Sequence, residues 1–378
     1  MPVVTCIEDL RLMAKKRVAR AVFEYVDGGA YTEATLRANS AELEAIALRQ
    51  RVAVNVDNRT TRTTMAGHDV AMPVALAPVG LTGLNWADGE ILAARAAQKF
   101  GVPYTLSTMS ICSIEDVAGA VEKPFWFQLY VMRDRGFSAS LIERAKLAKC
   151  SALVLTLDLQ VQGQRHRDLK NGLAVPPKLT LGTFLDVVTK PSWLLNMAGS
   201  TRKSFGNLEG RVSGAGNLKT LSEWTASQFD PTLSWKDVEW VKQLWGGKLI
   251  LKGILDAEDA KAAVGSGADA LVVSNHGGRQ LDGAVSSIRA LPEVVEVVKD
   301  KTEVWFDGGI RTGQGVLKAL ALGARGCMIG RAYAYGLGAM GEAGVTRALE
   351  ILHKELDVTM ALCGIRDVKD ASRALLRV

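Results

Sequence analysis

The stretch A-A-V-G-S-G-A-D-A-L-V-V-S-N (262–275) runs from a helix-like segment through small residues into a short β-branched strand. A small residue closing a helix just before a buried apolar run is the αβ junction of a parallel sheet. The phrase recurs in AAQKFGVPYTLST (96–108), AKLAKCSALVLTLD (145–158) and ALALGARGCMIGRA (319–332). Collecting such runs predicts strands near 74–80, 103–108, 125–131, 152–158, 249–255, 270–276, 302–308 and 326–330. Eight βα units in one α/β chain point to a TIM (β/α)8 barrel. A doubly wound sheet is the alternative, but its glycine fingerprint should follow a strand, and GSGADA (265–270) precedes one.

The spacing also places the extra pieces. Only the step from strand four to strand five is long, which predicts an insertion over 159–232 that forms a lid or a membrane-facing segment. Residues 1–70 precede the barrel as a helical extension capping one end, and the whole of 1–378 reads as one domain.

Composition narrows the function. With 48% hydrophobic and 23% charged residues the chain is ordinary globular protein. A net charge of +6 suits an anionic ligand or surface, and without a dense basic run no nucleic-acid partner is expected. Five cysteines without paired metal-ligand spacing argue against both a disulfide framework and a metal site. Met1–Leu12 lacks the apolar core of a secretory signal, and no window is apolar enough for a spanning helix.

Catalytic groups of such barrels come from the C-terminal ends of the strands. Those ends here carry Gly80, Ser107, Thr108, Gln128, Tyr130, Thr156, Asp158, Lys252, Ser274, His276, Asp307, Arg311, Gly330 and Arg331. Random core strands would not end in polar groups so regularly. The last two loops, FDGGIRTGQG (306–315) and IGRA (329–332), have the glycines and arginines of a phosphate site. Lys252 lies within the apolar run LILKGIL (249–255), where an ammonium is costly unless an anion or dipole compensates. It either forms a Schiff base or holds a developing negative charge. His276 and Arg279, in SNHGGRQLDG (274–283), fit a general base and a carboxylate fork, and Asp158 can stabilise the imidazolium. The bland alternative is a histidine that merely caps a glycine turn. His68 and His353 read as surface or structural residues, and His166 stays open.

EYVDGGA (24–30), PVGLTG (78–83), WFQLYV (126–131), LTLD (155–158), LKGILDAEDA (251–260), SNHGGRQLDG, DGGIRTG (307–313) and IGRA span nearly the whole chain. Together they resemble the FMN-dependent α-hydroxy acid dehydrogenases and oxidases, and FDPTLSWKDVEW (229–240) is most similar to the bacterial L-lactate branch. The resemblance implies FMN as cofactor and a small L-2-hydroxy acid as substrate, with a quinone or cytochrome as acceptor. It makes His276 the base and Asp158 its partner, and gives the substrate carboxylate to Arg279 and Arg165. Tyr25 and Tyr130 become substrate contacts. Flavin contacts fall on Val79, Gly80, Ser107, Gln128, Thr156, Lys252 and Ser274, and phosphate contacts on Asp307, Gly309, Arg311, Gly330 and Arg331. It also implies a homotetramer. Whether a hydride leaves Cα or a carbanion forms there stays open.

Two features depart from the family's oxidases: Gly80 stands where they carry alanine, and Met109 where they carry tryptophan. The stretch LQVQGQRHRDLKN (159–171) is nearer the mandelate enzymes, so mandelate or another hydroxy acid remains an alternative. An FMN-dependent isomerase and a phosphate-binding barrel without redox chemistry are the more distant ones. Within 176–219, Lys178, Lys190, Arg202, Lys203, Arg211 and Lys219 outnumber Asp186 and Glu209. Beside the apolar run LTLGTFLDVVTKPSWLLNMAG (179–199) they suit an anionic membrane surface, on the cytoplasmic side of the inner membrane. A soluble cytoplasmic enzyme with a plain lid is the other outcome.

Overall fold

The computed structural model describes residues 3–172, 181–209, 224 and 227–377. All eight expected strands form: β1 (Val74–Leu76), β2 (Thr105–Ser107), β3 (Trp126–Leu129), β4 (Ala152–Thr156), β5 (Lys248–Ile254), β6 (Ala270–Val273), β7 (Glu303–Asp307) and β8 (Gly326–Ile329). They pair in parallel in the order β1-β8-β7-β6-β5-β4-β3-β2. A parallel bridge between Leu76 and Tyr104, with Leu76 N–H donating to Pro103 O at 2.8 Å, joins β1 to β2 and closes the barrel. Most strands are shorter than their apolar runs, because the last residues of each run leave the ladder to build the mouth.

The 1–70 segment does not cap a single end. Helix α1 (Ile7–Arg17) packs outside the barrel, while α2 (Arg20–Asp27) and α3 (Ala34–Ala45) reach the C-terminal mouth. The antiparallel pair Thr63–Met65 and His68–Val70 goes to the opposite end. There Met65 joins a fully apolar interior cluster with Trp126, Ile250, Val272 and Trp305. The physical reason is that an eight-stranded barrel open below would leave the Trp126–Trp305 stack, centroids 5.2 Å apart, in contact with water.

The outer helices in order are α4 (Gly89–Phe100), α5 (Ile114–Ala118) and α6 (Arg135–Leu147). The insertion then supplies α7 (His166–Lys170), α8 (Leu181–Val188) and α9 (Pro191–Ala198). The barrel resumes with α10 (Trp235–Trp245), α11 (Ala257–Gly265), α12 (Ser287–Val298), α13 (Gly313–Ala321), α14 (Arg331–Met340) and α15 (Glu342–Cys363). The described part of the insertion is fastened by polar contacts. Asp186 accepts from Arg20 N–H at 2.6 Å, Trp193 Nε1 donates to Leu84 O at 2.8 Å, and Arg202 bridges Asp88 and Asp116. Of the basic residues expected to face a membrane, Lys178, Arg211 and Lys219 lie outside the described residues. Among the described residues no helix is long and apolar enough to cross a membrane.

Candidate active site

The period of two along each strand builds the site. Inward positions alternate, so the residue two beyond each apolar interior side chain also points inward, one layer nearer the mouth. Trp126 is followed in this way by Gln128, Val154 by Thr156, Ile250 by Lys252, Val272 by Ser274 and Trp305 by Asp307. The polar floor of the mouth therefore stands directly on the apolar plug.

Lys252 is 4% exposed, and its Nζ lies 3.0 Å from Asp307 Oδ2 and 2.9 Å from Ser274 Oγ. Ser274 Oγ in turn donates to Asp307 at 2.7 Å. Burial pushes the ammonium pKa down, but Asp307 and Asp158 more than offset this and hold it above the ordinary lysine value. The ion pair with Asp307 favours the ammonium, which fits a residue that holds developing negative charge rather than the free amine of a Schiff base. Gly253, at φ +104°, sits at a register break in β5, and a Cβ there would lie 2.6 Å from Asp158 Cγ. Only glycine lets the two charged strand ends approach.

His276 adopts a left-handed backbone, φ +58°, with its N–H on Ser274 Oγ at 3.1 Å. Its Nδ1 is 2.9 Å from Asp158 Oδ1, which leaves Nε2 as the nitrogen free for a ligand. Burial pulls the imidazole below its ordinary pKa against the opposing pull of Asp158, so the ring rests neutral. Asp158 feels burial too, but His276 and Lys252 outweigh it and the carboxyl stays ionised. A neutral imidazole oriented by a buried carboxylate is a poised base.

Two guanidiniums share this cavity. Arg279 stacks over the Tyr25 ring at 4.8 Å and Arg165 at 5.8 Å. Burial and the neighbouring Arg165 lower the Arg279 pKa to about 10. The buried Nε of Arg165 has no hydrogen-bond partner, and Asp168 stands 3.6 Å from its Nη1. Two close cations with one nearby carboxylate leave an unsatisfied positive charge. Among the described residues this arrangement suits an anionic group.

The same cavity, about 220 Å³, extends past Val79, Gly80, Ser107 and Thr156 to Gly309, Arg311 and Gly330. Its chemistry fits a flavin. Buried Gln128 Nε2 and Thr156 Oγ1 have no partner, and both stand in the polar layer where a pyrimidine edge would take their bonds. Helix α14 begins beside the cavity with Gly330 as N-cap and no side-chain cap, so its first N–H groups are available to a phosphate. Arg331, expected as a phosphate contact, uses its guanidinium otherwise: it donates to Val26 O at 2.9 Å, Gly277 O at 2.9 Å and Gly28 O at 2.8 Å. A fork surrounded by carbonyls fills them first, so its backbone N–H and net charge are what it offers the anion. Ser274 and Asp158 act on the lining residues Lys252, Asp307 and His276.

Phe205, Phe229, Leu159 and Gln162 complete the wall from the insertion and were not expected. Phe205 has no sequence signal beyond its place in the loop after strand four, whereas Leu159, Gln162 and Phe229 lie in the stretches 159–171 and 229–240 that carry the family resemblance. Asn207 fixes that wall, donating from Nδ2 to Ser107 O at 3.3 Å and Thr108 O at 3.2 Å. Of the remaining histidines, His166 rests edge-on to Tyr31, His353 is 2.9 Å from Thr61 Oγ1, and His68 is exposed.

The sequence profile of the FMN-dependent dehydrogenase family matches residues 14–378. An L-lactate dehydrogenase of Caulobacter vibrioides is 47% identical over 376 residues, 99% of this chain and 98% of the relative. That of Pseudomonas paraeruginosa is 46% identical over 98% of this chain and 97% of its own. Among solved structures, a monotopic membrane protein, (S)-mandelate dehydrogenase, superposes with a TM-score of 0.94 at 35% identity, covering 100% of both chains. A mandelate oxidase with benzoyl-formic acid gives 0.83 at 37% identity, over 99% of this chain and 98% of that one.

Proposed function

The chain belongs to the FMN-dependent dehydrogenase family, and from that premise we propose that it oxidises L-lactate, or a similarly small L-2-hydroxy acid, to the 2-keto acid. The observation that carries this reading is the neutral His276, held by Asp158, sharing one cavity with the paired cations Arg279 and Arg165. The L-lactate dehydrogenases at 46–47% identity support the choice of substrate.

Each residue then has a physical task. Arg279, aided by Arg165, binds the substrate carboxylate, because a carboxylate offsets the cost of burying two guanidiniums side by side. Tyr25 and Tyr130 line the cavity beside them and orient the hydroxyl. His276 Nε2 takes a proton from the substrate, and Asp158 stabilises the imidazolium that results. FMN, when bound, supplies the two-electron acceptor. Lys252 would face its pyrimidine edge, with Ser107, Gln128, Thr156 and Ser274 in the same polar layer. Val79 and Gly80 would flank the ring, and Gly309, Arg311, Gly330 and the backbone N–H of Arg331 would hold the phosphate end, whereas Asp307, expected there, pairs instead with Lys252 at 3.0 Å. Addition of L-lactate to the anaerobic holoenzyme should bleach the flavin bands. Bands unchanged by lactate but bleached by mandelate would favour a larger substrate, a second reading that the apolar wall of Met109, Phe205 and Phe229 supports.

The working unit in this reading is one domain, 1–378, assembled as a homotetramer and lying on the cytoplasmic face of the inner membrane, where quinone or a cytochrome takes the electrons. Support comes from the exposed Leu185, Val188 and Leu195 of the insertion, with Lys190 Nζ donating to Lys16 O at 2.8 Å beside exposed Lys15. Replacing 179–199 by a polar linker, which keeps Phe205 and Asn207 in place, should release the enzyme from anionic liposomes and preserve lactate-driven dye reduction. A parent that never sediments with such liposomes at low salt sinks the membrane reading. Light scattering of the detergent-solubilised holoenzyme tests the tetramer.

A further inference from the structure

Helix α2 ends at the substrate cavity, and its last carbonyls meet two buried arginines. Arg279 donates through Nη1 to Tyr25 O and, at 3.2 Å, to Gly28 O. Arg331 donates to Val26 O at 2.9 Å and to Gly28 O at 2.8 Å. The C-terminus of a helix carries partial negative charge, so these carbonyls share in holding both cations. The Tyr25 side chain leaves the same turn and lies beneath Arg279. A small shift of this turn would therefore move Tyr25 and the Arg279 fork together.

Such a turn needs an anchor. Helix α2 has only eight residues and no side-chain cap at its start, which leaves it weak by itself. Its final residue, Asp27, is buried and receives four hydrogen bonds from three other elements. Arg11 of α1 donates at 2.6 and 3.1 Å, Tyr335 of α14 at 2.8 Å, and Arg167 of α7 at 3.0 Å. The second prong of Arg167 reaches Glu33 at 2.6 Å, and Glu33 accepts from Gly29 N–H at 2.9 Å. Arg11 and Tyr335 belong to helices packed on one another, whereas Arg167 comes from the five-residue helix of the insertion and is 38% exposed. It is the partner that can let go.

We propose that Asp27 is a positioning residue for substrate binding, and that Arg167 is the clasp through which the insertion sets the carboxylate site. Neither touches substrate. The insertion thus acts on the chemistry through the end of α2 as well as by covering the mouth. By reciprocity, an anion held by Arg279 and Arg165 tightens the clasp. The proposal rests on the reading above in one respect, that the anion is the substrate carboxylate.

The test is titration of the FMN-loaded enzyme with pyruvate and, separately, with acetate, read as flavin difference spectra. It is paired with the limiting rate of flavin reduction by lactate. Asp27→Asn should raise the dissociation constants about tenfold, a typical coupling between linked sites. Arg167→Gln should raise them about threefold, as fits a half-exposed ion pair. Arg167→Lys should recover part of the loss, because an ammonium restores the charge without the two-pronged geometry. In all three the limiting rate should stay within about twofold of the parent, since the proton-transfer groups are untouched. Dissociation constants unchanged in Arg167→Gln and Asp27→Asn, with only thermal stability reduced, overturn the proposal. If Asp27→Asn does not fold, the two Arg167 variants decide alone. A parent that lactate does not bleach, but whose variants still lose anion affinity, sinks the lactate reading and keeps this one. A parent that binds neither anion overturns both.

Discussion

The two ends of the barrel are made by the same eight strands and solve opposite problems. Below, Trp126 and Trp305 stack face to face above Met65, and a Cβ on Gly326 would come within 2.6 Å of the Met65 methyl. Above, two residues further along the same strands, Gln128 and Asp307 stand among buried charges and unsatisfied donors. The lower end gains stability from apolar burial. The upper end leaves Gln128 Nε2, Thr156 Oγ1 and Arg165 Nε buried without partners, each costing about 1–3 kcal/mol until a ligand satisfies it. A site that binds tightly must keep such groups unsatisfied, and the plug below is what lets the fold carry them.

That contrast can be broken from either side. The largest effect belongs above: His276→Gln should slow flavin reduction by lactate about 10²–10⁴-fold, the worth of a general base. FMN content should stay at the parent level, because His276 carries no phosphate contact. Stopped-flow reduction near the parent rate would remove His276 from the chemistry. Below, Trp305→Ala should cost about 3–5 kcal/mol of stability in thermal or denaturant unfolding, for an aromatic deleted from a closed core. Reduction per folded, flavin-loaded molecule should hardly change. A rate loss as large as the His276 variant's would mean that the two ends are not independent.

A subtler test separates the charges from each other. His276 must be neutral to accept a proton, and burial sets its pKa below the ordinary value. The acid limb of kcat/KM should therefore fall below pH 6.5, with activity lost as pH drops through the folded value. Asp158 opposes that shift, so Asp158→Asn should move the limb to still lower pH while reducing the plateau. A limb that moves upward contradicts this assignment. The smallest effect is expected from Gly80→Ala. Its methyl would sit 3.2 Å from the Tyr25 hydroxyl and 3.3 Å from Met109 Cβ, so both must yield by a few tenths of an ångström. The lactate KM and the rate of reoxidation by oxygen should change severalfold at most, roughly the 1 kcal/mol of a mild overpacking. Identical values for both would place Gly80 away from substrate and flavin alike.

The sequence by itself determined the barrel, since small residues closing helices before β-branched runs recur in four stretches, and the eight apolar runs in all leave a parallel barrel as the architecture that uses them. It also marked the mouth. Alternation along a strand is local, so Lys252 in LILKGIL and Asp307 in VWFDGG declare their inward positions without any tertiary contact. Other features depend on which residues the fold brings together, and only the tertiary structure could decide them. Nothing in the run of 63–70 says that Met65 plugs the far end, or that Phe205 and Phe229 wall the cavity from a long insertion. Arg331 showed the limit most clearly. Its place in IGRA reads as a phosphate contact, but three carbonyls from two distant segments take its guanidinium. Asp27 likewise reads as one more polar residue at a helix end. Its role comes from three arriving partners, Arg11, Arg167 and Tyr335, separated from it by 16, 140 and 308 positions. Hydrogen bonds at such separations are properties of packing, and local sequence pattern carries no signal for them.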